Sequence, residues 1–396
     1  DTATFIVETP EAVWKAHGLD EMSQAEGIAF CEKLFAKYLD GNALMNNATH
    51  VRGSAIWIRF PRVVCENWVH TQDIAGKQVP LVLMGDAAHT AHFSIGSGSK
   101  LALEDAIELS RCLAATDDTV QALQNYVAVR SVEVLKIQNA ARNSTEWFEH
   151  VDRYSGMEAE QLFYSLLTRS QRISHENLRV RDAAWLKDYE RWLAGTTAGK
   201  TPPPPMLLPL KVRSVELKNR IVVSPMATYH ATDGVVGDFH LVHLGARAMG
   251  GAGLVMVEMT SPTPEGRITP ACPGLWNDQQ TQAFARIVDF AHQQKAHIGL
   301  QIGHSGAKGS TQLGWQAMDE PLPEGNWPLL AASPLAYGDN NQVPRAMTAE
   351  DMQGLAAQFV QATQRADAAG FDWLELHCAH GYLLSGFICP LTNLRD

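Results

Sequence analysis

Hydrophobic and polar positions divide the chain into two kinds of pattern. Residues 1–8 alternate polar and apolar side chains, which predicts a half-buried strand. The apolar run at residues 81–84 predicts a buried strand, ended by Gly85 and Asp86. A loop with Gly96, Ser97, Gly98 and Ser99 then opens a helical pattern. Residues 125–151 and 159–193 space their apolar side chains by three and four, which predicts two long helices forming a tail. Residues 195–205 read GTTAGKTPPPP; consecutive prolines cannot continue a helix and make a stiff extended spacer, so a domain boundary is expected there. Beyond it the pattern becomes alternating strand and helix. Strands are expected at 221–224, 254–259, 297–302 and 373–377, with helices at 238–249, 278–294 and 348–369. Such alternation predicts an α/β domain with a parallel sheet, either doubly wound or a barrel.

Composition narrows the partners. The 396 residues exceed the usual single-core size, and 45% of them are hydrophobic, so two cores are expected, in residues 1–194 and 206–396. With 32 basic against 43 acidic residues the net charge is −11, and no basic run interleaves with aromatics; neither nucleic acid nor an acidic membrane is an expected partner. No apolar stretch approaches the ~18 residues that span a bilayer. Six cysteines without a Cys-x-x-Cys pair indicate neither a disulfide framework nor a zinc ribbon, and a reducing, cytoplasmic setting is expected. The expected ligand is a small molecule, and the expected assembly a homo-oligomer. Residue 1 follows neither an initiator Met nor a signal peptide, so the first residue is read as a cut point within a longer polypeptide.

Candidate chemistry sits at the loops. Gly85 permits close backbone approach, Asp86 offers a carboxylate to a ribityl hydroxyl, and Gly96, Ser97, Gly98 and Ser99 present N–H groups at a helix start, where the dipole favours an electron-rich ring edge. In its Asp86-Ala87-Ala88-His89 context this stretch resembles the second FAD signature of the single-component aromatic-ring hydroxylases. The resemblance implies an FAD site at Gly85, Asp86 and Gly96–Ser99. His92-Phe93 stands where paired prolines are frequent, and Lys100 where asparagine is usual. The GxGxxG loop that would grip the ADP half of FAD is missing upstream. His89 and His92 read as structural groups.

In the second half polar residues cluster at the expected strand ends, where barrel active sites are assembled: Ser224-Pro225-Met226, Glu258-Met259-Thr260, Gln301 with His304, and His377 with His380 and Tyr382. Two histidines spaced as His377 and His380 can also ligate a metal, with Glu375 an ambiguous third ligand; the pair is read here as holding none. His240, His243, His292 and His297 fall at helix or helix-end positions and read as packing or surface groups. The segments KNRIVVSPM, GAGLVMVE, IGLQIGHSG and ELHCAHGYLLSGFICPLTNLRD resemble the FMN-dependent Old Yellow Enzyme family of (β/α)8 ene-reductases and NADPH dehydrogenases. The resemblance implies that Ser224, Pro225, Met226, Ala227 and Met259 lie along FMN and that Gln301 bonds its pyrimidine edge. His377 and His380 would clamp a substrate carbonyl oxygen, Tyr382 would supply a proton, and Tyr229 would touch substrate. Ala227 departs from the Cys or Thr frequent there. Arg267 matches one branch of the family and reads equally well as a loop charge.

Four strands cannot close an eight-stranded barrel, so the second domain is expected to be the first half of a (β/α)8 barrel. The join of the two resemblances is similar to the two-flavin monooxygenase/reductases of the 2-aminobenzoyl-CoA type. That implies an NAD(P)H-dependent enzyme with FAD and FMN, coupling ring hydroxylation to ene reduction of an aryl, possibly CoA-linked, substrate. A stand-alone ene-reductase with a vestigial upstream part and a non-catalytic fragment are the alternatives.

Overall fold

A computed structural model describes residues 3–45, 57, 59, 60, 62–195 and 201–395. The start of the expected N-terminal strand, the middle of the expected linker (196–200) and residue 396 lie outside the described residues. The chain divides into two compact units, residues 1–189 and 190–396.

In the first unit, helices α1 (Glu11–Ala16), α2 (Gln24–Leu34) and α3 (Ala36–Leu39) precede an antiparallel hairpin of β1 (Val69–Ile74) and β2 (Lys77–Val82). Ser23 and Glu26 form a capping box that starts α2. The hairpin turns at Ala75 and Gly76, both at positive φ (53° and 78°), the turn geometry that matches strand twist. Helices α4 (Gly98–Ala115) and α5 (Thr119–Glu149) then pack around Leu101, Cys112, Ala122, Tyr126, Val134 and Ile137, with Trp68 and Ala88 completing the core. Helices α6 (Ala159–Thr168), α7 (His175–Arg181) and α8 (Ala183–Leu193) follow.

Four expectations for this unit are corrected. Residues 3–8 form no strand. The buried strand expected at 81–84 is the end of an edge hairpin: β2 stops at Val82, and Leu81, Leu83 and Met84 are exposed. The helix expected at 159–193 is broken twice. Ser174 caps α7 through a box with Asn177, and Asp182 ends α7 while its side chain accepts from Trp185 N at the start of α8. The other predicted helix starts earlier, at Thr119, and stops at Glu149, with Val151 in a short 3-10 turn.

The second unit opens with a hairpin of β3 (Leu210–Val212) and β4 (Val215–Leu217). Strands β5 (Val222–Val223), β6 (Leu254–Thr260), β7 (His297–Ile302) and β10 (Trp373–Leu376) then form one parallel sheet in the order β5-β6-β7-β10. Helices α9 (Asp238–Met249), α10 (Asp278–Gln293) and α11 (Ala349–Ala368) are the crossovers. Each strand lies beside the next with no reversal of order, which is the barrel arrangement and not the doubly wound one. Every residue of β6 is buried, which is why that strand reads as a continuous apolar run without alternation. Its Val255 and Val257 join Phe284, Ile287, Val288, Ile298, Leu300 and Ile302 in the main core. A two-residue parallel pair, β8 (Leu330–Ala331) and β9 (Arg345–Ala346), and the short helix α12 (Leu383–Ile388) were not anticipated. Among the described residues no helix is long and apolar enough to cross a membrane.

Candidate active site

The parallel sheet delivers its polar residues to one end. After β5 the chain leaves regular structure over Ser224–Tyr229; β6 ends at Glu258, Met259 and Thr260; β7 leads through Gln301 to Gly303 and His304; β10 leads into His377, His380 and Tyr382. Gly303 lets two of these groups close up, because a Cβ there would lie 2.7 Å from Met259 and 2.9 Å from His377 Cβ.

His377 is buried, and His380 and Tyr382 surround it, with ring centroids 5.0 and 4.9 Å away. The backbone N–H of Ala379 donates to His377 Nδ1 at 3.2 Å, so the neutral ring carries its proton on Nε2. That atom faces His380 Nδ1 at 3.2 Å, leaving the far nitrogen of His380 to meet a ligand. Burial, reinforced by the neighbouring His380, holds the His377 pKa below the ordinary imidazole value. His380 has φ of 59° and is followed by Gly381 at 72°, a left-handed turn that swings the second imidazole back over the first. Among the described residues no group of three or more His, Cys, Asp and Glu side chains is arranged to hold a metal. Glu375 instead accepts from Gln301 Nε2 at 2.6 Å.

Tyr382 and Tyr229 pack against the same buried patch of Met259, Ile268 and Cys272, so two residues more than 150 positions apart in the sequence meet at one site. Burial raises the phenol pKa of both, and Tyr229 adds to the rise at Tyr382, so Tyr382 keeps its proton at neutral pH. Two further residues belong to this end: Lys308, which was not singled out from the sequence, and Glu258, which was named there only as part of a polar strand end. Lys308 holds its ammonium 5.3 Å from the centre of the Tyr382 ring and 4.3 Å from that of Tyr337, and donates to the His380 carbonyl at 3.3 Å. Glu258 accepts from both the N–H and the hydroxyl of Thr228. Neither carries a spacing signal, since each contact joins different loops or strands.

Ser224, Met226 and Ala227 are exposed, and the N–H groups of Met226 and Ala227 have no acceptor among the described residues. With the half-buried Gln301 amide, this free backbone edge fits a planar heterocycle bearing alternating donors and acceptors, as the FMN reading requires. Gln301 would have to exchange its bond to Glu375 for one to the ring. Arg267 is committed to its own loop, donating to the carbonyls of Pro264 and Pro270 with Trp276 and Trp327 on its guanidinium. Of the four histidines expected at helices, His240 and His243 lie in α9 and His292 in α10, but His297 opens β7; Asp372 accepts from His292 at 2.9 Å.

In the first unit the candidate residues surround the start of α4. Gly85 is buried at φ 59°, and its N–H donates to Asp105, which also meets His89 at 2.7 Å and Arg130 at 2.8 Å. Asp86 is exposed on the 3-10 turn that follows and makes no hydrogen bond among the described residues. Gly96 has φ of 62°, Ser97 is buried, and Gly98 and Ser99 open α4 without a side-chain cap. Asp105, fully buried, was the group missed here; it anchors the turn across 20 residues of sequence.

Residues 205–396 match the NADH:flavin oxidoreductase / NADH oxidase family. An NADH:flavin oxidoreductase of Gibberella zeae is 39% identical over 226 residues, 56% of this chain and 54% of that protein. An NADPH dehydrogenase of Bacillus subtilis is 37% identical over 192 residues, 48% of this chain and 53% of that one. The solved structure of morphinone reductase is 28% identical, covers 50% of this chain and 54% of its own, and superposes with a TM-score of 0.42. The chain spans about half the length of the curated relatives it matches. Its C-terminal half forms an α/β domain similar to the Old Yellow Enzyme-like NADH:flavin oxidoreductases.

Proposed function

We propose that this protein is an FMN-dependent NAD(P)H oxidoreductase that reduces the carbon–carbon double bond of small α,β-unsaturated carbonyl compounds. The observation that carries the reading is the cluster of His377, His380 and Tyr382 at the C-terminal end of β10, at the same end of the parallel sheet as the free backbone edge that follows β5 at Met226 and Ala227. The NADPH dehydrogenases among its relatives support NADPH as the donor. FMN, when bound, supplies hydride to the β-carbon of the alkene.

The chain's own groups do the rest. The outer nitrogen of His380 donates to the carbonyl oxygen, on which negative charge accumulates, and His377 joins it by exchanging its Nε2 bond to His380 Nδ1 for one to that oxygen. Both rings are held in place before substrate arrives, one by the Ala379 N–H and the other by its neighbour. Tyr382, kept protonated by burial, gives its proton to the α-carbon. Tyr229 and the Met259–Ile268–Cys272 patch keep water from the phenol. The reductase reading draws on the matched half alone, so it is favoured over one that couples it to FAD-dependent hydroxylation of an aryl-CoA thioester.

Anaerobic stopped-flow kinetics on the FMN-loaded chain separates the two half-reactions. His377→Ala or His380→Ala should slow reduction of an enone by about 10²-fold, the scale of a lost oxyanion donor, while reduction of bound flavin by NADPH proceeds normally. Tyr382→Phe should slow enone turnover with the same selectivity. Equal loss in both half-reactions, or in neither, contradicts the assigned roles.

A further inference from the structure

Strand β6 is buried throughout, yet it carries a carboxylate, Glu258, that is only 4% exposed. Burying an ionisable acid at a sheet end is costly unless donors surround it. Those donors are present. Thr228 gives its N–H to one oxygen at 2.8 Å and its hydroxyl to the other at 2.5 Å, across 30 residues of sequence. His240, buried in α9, accepts the Gly237 N–H on Nδ1, and its Nε2 lies 3.4 Å from Glu258 without a hydrogen bond, so Thr228 supplies the bonds to the carboxylate. Apart from this pair, Ser224–Thr228 has no hydrogen bond to the strands among the described residues: the segment lies outside regular structure, and Ser224, Met226 and Ala227 face solvent.

We propose that Glu258 is a positioning residue that clamps Thr228 and thereby holds the Ser224–Ala227 backbone edge in the shape that receives the flavin ring. The inference rests on the flavin reading above for what the edge receives, but the clamp itself is a property of the chain. A neutral side chain of equal size replaces it only weakly. Glutamine accepts from the Thr228 N–H but must turn the second bond around, its amide donating to the Thr228 hydroxyl, so two charge-assisted bonds become neutral ones.

Two readouts on the full chain test this. In hydrogen–deuterium exchange without flavin, Glu258→Gln should speed exchange across residues 224–229 while β6 and β7 keep their protection. In titrations with FMN, Glu258→Gln and Thr228→Val should each weaken binding by about tenfold, the effect of one lost hydrogen bond to a charged group, and Thr228→Ser should restore it. Unchanged exchange in residues 224–229 overturns the clamp. Faster exchange with unchanged FMN affinity overturns the link between clamp and flavin. Should the unaltered chain fail to bind FMN, the flavin reading falls with that link, and exchange alone judges the clamp. Thr228→Val, which leaves the sheet intact, keeps the test valid if Glu258→Gln does not fold.

Discussion

Burial decides which histidines of the second unit can carry charge. His304 is fully enclosed, accepts the Gly306 N–H on Nδ1 at 3.1 Å, and has its pKa pushed down from 6.5 to about 4 by burial. The folded state therefore resists a proton that the unfolded chain accepts. Stability from this residue is intact above about pH 6.5 and is lost as pH falls toward 4, by about 2 kcal/mol between pH 7 and 5. His304→Asn keeps an acceptor near the Nδ1 position and cannot titrate, so urea unfolding of the variant should show a shallower loss of stability between those pH values than the unaltered chain does. Equal slopes would show that His304 is not the titrating group. The residue scale also sets what sequence could reveal. His377, His380 and Tyr382 stood out because one short turn carries all three. Lys308 did not, and Glu258 stood out only as part of a polar strand end, because their contacts to His380 and Thr228 reach across 72 and 30 residues.

At the scale of elements, the second unit was legible because each crossover helix has a sharp start and each strand an apolar run. Asp238–Met249 and His297–Ile302 form with the expected bounds, the latter set by the Lys295 turn and the polar end after Ile302. The first unit was less legible. Its apolar residues at 81–84 sit on an edge hairpin, where a run of hydrophobic side chains does not imply burial. Residues 159–193 keep a helical period across two breaks that only the caps at Ser174 and Asp182 create. Packing between crossovers gives a paired prediction. In α11, Gly354 faces open space, and Gly354→Ala should stabilise by up to ~1 kcal/mol through helix propensity. In α9, a Cβ on Gly245 would lie 2.7 Å from the Phe290 ring of α10, so Gly245→Ala should destabilise by about 1–3 kcal/mol despite the same propensity gain. Thermal unfolding of both variants checks this; matching signs would contradict the close approach of α9 and α10.

For the whole molecule, the two compact units stand on different footings. The second has a parallel strand order, a polar cluster at one end of the sheet and a family match over residues 205–396. The first has a buried network in which Asp105 gives Gly85, His89 and Arg130 a common partner. Its resemblance to an FAD site thus turns on Asp86 and the start of α4 alone. The central claim, that the second unit is a flavin-dependent reductase of activated alkenes, is tested most directly by anaerobic spectroscopy of the full chain with one equivalent of FMN. NADPH should bleach the flavin band, and cyclohex-2-enone should then restore it without oxygen. A flavin that NADPH cannot bleach, or that stays bleached in the presence of the enone, would contradict the account.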